Sequence, residues 1–132
     1  MSYNPAEDFD IKAVATQHGI DWRLLKALRQ AENGSAGREF GVLAVSARTW
    51  TEQAEVAART IRHTIGRYWQ HVKADPWDDQ VGAHTGDFLR YFSVGGPGYA
   101  GYAPLGADND PTQLNDHHAA NLLRLYGSAC DG

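Results

Sequence analysis

The chain is poor in everything that holds a protein together other than packing. It has one cysteine, Cys130, so no internal disulfide can form and the fold must stand on its core. Nothing marks that thiol as activated, and so near the C-terminus it reads as incidental. No apolar run approaches the ~20 residues of a membrane span. Positive charge is not in excess: 12 Lys and Arg face 16 Asp and Glu, a net charge of −4. That argues against nucleic acid as the main partner, because duplex binding needs a basic footprint. The first residues, Met1 to Asp8, are neither basic nor apolar, so a secretory signal is not expected. Action on an external substrate would then need another route, such as release through a permeabilised membrane or carriage on a larger particle or protein.

Cofactor signatures are missing too. There is no phosphate loop, no nucleophile elbow and no dinucleotide fingerprint. His63, His71 and His84 have no chelating spacing. His117 and His118 are adjacent on a predicted helix and so point about 100° apart. Asp108-Asn109-Asp110 lacks the glycine and the glutamate of a calcium loop. No metal or other cofactor is expected.

What is present is helical periodicity. At 132 residues, 42 % apolar and 21 % charged, one soluble domain is expected, with an ordered core over about 9–127. Ile11, Val14, Ala15 and His18 predict a helix near 9–18 stopped by Gly19. Asp21 caps a second helix whose core residues are Trp22, Leu24, Leu25 and Leu28. The longest helix is predicted over 50–73, with Trp50, Ala54, Ala57, Ala58, Ile61, Ile65, Tyr68 and Val72 on one stripe. Thr49 and Glu52 form a capping box at its start. Another helix is predicted near 78–93, bearing Val81, Thr85, Phe88 and Phe92. A last one should start at Asp110-Pro111 and run to about Tyr126. Phe40 to Val45 reads as either a short buried strand or an irregular apolar segment; period does not separate the two.

One acid breaks the pattern. Leu25, Leu28 and Glu32 fall at i, i+3 and i+7, so the face that should meet the core ends in a carboxylate. Asn33-Gly34 is a stop signal, with Gly34 free to turn left-handed. In the last turn the negative end of the helix dipole disfavours an ionised carboxylate, and apolar surroundings act in the same direction. A carboxyl kept protonated near neutral pH is what cleavage of a glycosidic bond needs as its general acid. The plain alternative is a solvated glutamate at a helix end. Between the last two helices, residues 93–109 are rich in glycine and proline and carry Tyr99 and Tyr102. Long loops in compact domains tend to be functional, and aromatic rings stack on sugars. The competing reading tucks both tyrosines into the core.

The order of these features resembles the lysozyme-like superfamily, in particular soluble lytic transglycosylases and goose-type lysozymes. Ala31-Glu32-Asn33-Gly34 is similar to the end of that family's catalytic helix. Phe40-Gly41-Val42-Leu43-Ala44-Val45 stands where the family has a Gly-Leu-Met-Gln-like segment lining the cleft. Phe88-Leu89-Arg90-Tyr91-Phe92, then Tyr102 to Pro111, Leu114 and Asn115, resemble small phage and prophage peptidoglycan-cleaving domains. The resemblance covers about residues 11–126. Ala44 replaces the segment's glutamine, and the family's Ala-Tyr-Asn motif is absent in that form.

The resemblance implies an all-α, lysozyme-like single catalytic domain over 1–132, built around the long helix with a substrate cleft. It implies cleavage of the β-1,4 bond between N-acetylmuramic acid and N-acetylglucosamine in peptidoglycan. Glu32 would be the catalytic acid. Phe40, Gly41, Val42, Leu43, Tyr99, Tyr102, Asn109 and Asn115 would contact the glycan, and Asp87, Asp108 or Asp110 would be the second carboxylate of a hydrolase. The partner would be the glycan strand, with no nucleic acid, no membrane insertion and a monomer expected. Two other readings stand beside it: a non-catalytic glycan-binding module, and a small helical interaction protein.

Overall fold

The computed structural model describes residues 5–72, 83–96, 99–103 and 117–131. The fold is all-α. A 3-10 helix, Pro5–Glu7, leads into α1 (Asp8–His18) and α2 (Trp22–Glu32); α3 (Trp50–Val72), α4 (Ala83–Val94) and α5 (His118–Asp131) follow. Among the described residues there is no strand, and the isolated bridge between Gly96 and Tyr99 is the one ladder-like pair. None of these helices is long and apolar enough to cross a membrane. By packing, the chain divides into two compact units, Met1–Arg62 and His63–Gly132, with the boundary inside α3.

In the first unit, local chemistry sets the helix ends. Asp8 and Asp10 sit in the first turn of α1, where the dipole favours acids. Gly19, at φ 66°, closes its C-terminus by donating to the Ala15 and Thr16 carbonyls. The Asp21 carboxylate caps α2, accepting from the Arg23 N–H at 3.0 Å. The capping box of α3 is formed in both directions: Glu52 N–H donates to Thr49 Oγ1, and Thr49 N–H donates to Glu52 Oε1, each at 3.1 Å. α1 packs on α2. Ile11, Leu24, Leu25, Leu28 and Ile61 are completely buried, and each contributes about 1.5–3 kcal/mol relative to exposure. Trp22 departs from expectation. It is half-buried on the rim, with the Lys12 and Lys26 ammonium groups 4.5 and 5.5 Å from its ring. An indole can trade burial for two cations in this way.

In the second unit α4 packs on α5 around Tyr68, Phe88, Phe92, Leu122 and Tyr126, all buried. Tyr68 meets Phe88 edge to face at 5.4 Å. α5 runs past Tyr126 to Asp131, so Cys130 lies in a helix and is partly buried. The predicted helix start at Asp110-Pro111 and Val81 lie outside the described residues. The same holds for Asp108, Asn109 and Asn115.

Candidate active site

Glu32 is the last residue of α2 and is half-buried. The face it continues is core, since Leu25 and Leu28 are fully buried, so the acid stands where that face reaches the surface. The turn that follows differs in detail from expectation. Asn33, not Gly34, takes the left-handed conformation, at φ 42°, and donates to the Arg29 carbonyl at 2.9 Å. Asparagine tolerates that region better than other non-glycine residues. Gly34 is needed for a different reason. A Cβ there would sit 2.6 Å from the Arg38 carbonyl carbon and closer still to its oxygen. Close approach lets the Gly34 N–H donate to the Glu39 carbonyl at 3.3 Å, folding the chain back over the helix end.

The returning chain meets the acid at Gly41. Its φ is 71°, and a Cβ would fall 2.9 Å from Glu32 Cδ and nearer to Oε1. The backbone conformation favours glycine here, and a side chain at this position would push the Glu32 carboxyl aside. Phe40, the residue before, is fully buried and packs edge-on to Trp50 at 5.7 Å, so its ring supports the turn from the core side and is not open to a ligand. Val42 is half-buried, and Leu43 and Val45 are 66 % and 77 % exposed. Residues 40–45 are thus irregular, and only Phe40 among them is core.

Sequence reasoning missed the polar residues that hold this loop, among them three that are buried. Gln53 on α3 is completely buried and reaches Phe40, Val42 and Ala47. Arg29 on α2 is 3 % exposed; it pairs with Glu7 through two bonds, at 2.8 and 3.3 Å, and reaches the Glu39 carbonyl at 3.4 Å. Glu39 is buried and accepts from the Gly37 N–H at 3.1 Å. The available signal was polarity in the wrong place. Arg29 lies four residues after Leu25, and Gln53 three after Trp50, so both fall on predicted apolar faces.

Tyr99, Tyr102 and Asp87 belong to the second unit. There the chain reverses after α4: Tyr102 N–H donates to the Phe92 carbonyl at 2.8 Å and Ala103 N–H to the Ser93 carbonyl at 2.7 Å. Gly101, at φ 105°, makes the reversal possible. Tyr102 is half-buried, stacked on Phe92 at 4.9 Å, with the His118 ring 6.3 Å away. His118 Nδ1 is hydrogen-bonded to the buried Ser93 hydroxyl at 2.8 Å. Tyr99 lies against Tyr91 at 5.5 Å; burial above all pushes its phenol up to about 12. Asp87 is exposed on α4. Among the described residues no group of three His, Cys, Asp or Glu could hold a metal ion.

No protein-family model, curated protein or solved structure matches the chain.

Proposed function

We propose that this protein cleaves peptidoglycan glycan strands at the β-1,4 bond between N-acetylmuramic acid and N-acetylglucosamine, with Glu32 as the general acid. One observation carries the reading. A half-buried carboxyl emerges from a core face at a helix end and rests against a left-handed glycine, beside an exposed apolar segment.

Glu32 would protonate the leaving glycosidic oxygen. The carboxylate so formed would then take the proton of the muramyl 6-hydroxyl as that oxygen attacks C1, closing a 1,6-anhydro ring. This transglycosylase route needs one carboxylate. Hydrolysis by inversion needs a second, about 6.5–9.5 Å away, to activate water. Glu39 is the nearest in sequence in the same unit, and its carboxylate is already committed to Gly37. The product, anhydro or hydrolytic, decides between the two routes.

The test is clearing of purified peptidoglycan by wild type and Glu32→Gln, with mass spectrometry of the products. The variant should fold and bind glycan but lose about 10²–10⁴ in rate. Anhydro products lack one water relative to hydrolytic ones. Undiminished cleavage by Glu32→Gln would remove the assignment, and glycan binding without any product from wild type would make the protein a binding module.

A further inference from the structure

Gln53 stands on the apolar stripe of α3 and has no exposed surface, yet it is an amide with two acceptor sites and two N–H donors. All four are used on one loop. Its Oε1 accepts from the Phe40 and Val42 N–H groups, both at 3.1 Å. Its Nε2 donates to the Val42 carbonyl at 2.8 Å and the Ala47 carbonyl at 2.6 Å. Phe40 and Val42 are the two neighbours of Gly41, and Gly41 is the main-chain surface against the Glu32 carboxyl. The amide thus grips the loop on both sides of the residue that seats the acid.

We infer that Gln53 is a positioning residue for Glu32, fixing the wall that sets where the carboxyl delivers its proton. The inference rests on the reading of Glu32 as the acid. Without the amide, two main-chain N–H groups lose their acceptor, and the wall at Gly41 is held only by its own N–H bond to the Arg38 carbonyl at 3.0 Å, so its position against the carboxyl shifts. Misplacement of a reacting group by about 1 Å can cost about 10²-fold in rate.

The experiment compares Gln53→Met, which keeps the bulk and loses all four bonds, with Gln53→Glu, which keeps the acceptors and loses the donors. Each is made alone and together with Glu32→Gln. Gln53→Met should lower kcat by about 10- to 100-fold with KM within about threefold. Added to Glu32→Gln it should cost less than about twofold, because the step it supports is already gone. The activity of Gln53→Glu relative to wild type should rise toward acid pH, as the new carboxyl gains a proton to donate. A second measurement needs no activity. In the ligand-free protein, the carboxyl carbon resonance of Glu32 should move in Gln53→Met while that of Asp10 stays in place. If wild type cleaves nothing, the proposed function falls and this resonance alone decides the coupling. Equal losses in both backgrounds, an unchanged kcat, or an unmoved Glu32 resonance would each overturn the inference. Should Gln53→Met not fold, Gln53→Glu is read by the same criteria.

Discussion

Two of the described loops differ in what holds them besides their own main-chain bonds. The loop after α2, residues 33–47, is pinned by side chains reaching its main chain: Gln53, Arg29, Arg38 and Glu39. The reversal after α4, described at residues 95–96 and 99–103, is pinned by its own main chain and by rings, with Gly96 and Tyr99 exchanging two hydrogen bonds and Tyr102 stacked on Phe92. Directional bonds from buried polar groups define one geometry, and each lost partner leaves a buried group unpaired. Ring packing is less directional and absorbs modest change. The loop that seats Glu32 is therefore the precise and brittle one.

The sharpest way to break this contrast is at Arg29. Arg29→Ala leaves the Glu7 carboxylate without its partner and should cost about 3–5 kcal/mol, read from the urea midpoint. A loss under about 1 kcal/mol would mean that the polar bracket is ornamental. Gly41→Ala comes next. A left-handed alanine costs about 1–3 kcal/mol, and its methyl group would also displace the Glu32 carboxyl. Cleavage should fall further than stability explains; if the two fall together, Gly41 serves only the turn.

In the second loop, Tyr102→Phe keeps the ring that stacks on Phe92 and should cost less stability than Tyr102→Ala. Tyr102→Ala should cost about 1–3 kcal/mol, from the lost stack on Phe92. A large stability loss in Tyr102→Phe would show the second loop to be as dependent on a polar contact as the first.

The smallest expected effect is in pH dependence, followed by amide exchange at the two loops. Tyr99, Tyr91 and Tyr68 have phenols raised above the ordinary value of 10.0, chiefly by burial. Their folded state favours the neutral form. That contribution is complete below the unfolded value near 10 and is lost as pH rises through the folded values, about 12 for Tyr99. Glu52 behaves oppositely. The Arg48 N–H, followed by the Thr49 hydroxyl and N–H, holds its carboxyl below 4.5. The contribution of Glu52 is present above that value and disappears as pH falls through the folded one. Alkali should thus loosen the second unit, and acid the start of α3. Tyr99→Phe should flatten the alkaline limb.

Much of the fold was legible because its causes are local. The stripe of α3, its capping box, the Asp21 cap and the Gly19 stop are each set within about one helical turn, and the structure contains them. Where local reasoning erred, one alternative was as local as the other. Asn33 took the left-handed position that Gly34 could also have filled, and Trp22 settled between two lysines on the rim. The candidate acid was visible as a charge on a buried face.

What surrounds that acid was not legible. Gln53 bonds Phe40 and Val42 across 13 and 11 residues, and Arg29 reaches Glu7 across 22. No periodicity names such partners, because they meet only after the helices have packed. The sequence by itself determined the helices, their caps and the placing of Glu32 at a helix end, through repeat spacing and turn chemistry within a few residues. Only the tertiary structure decided that Gly41 seats the carboxyl and that Gln53 grips both its neighbours. Those contacts join segments that the chain keeps apart, and burial then requires every polar group among them to find a partner.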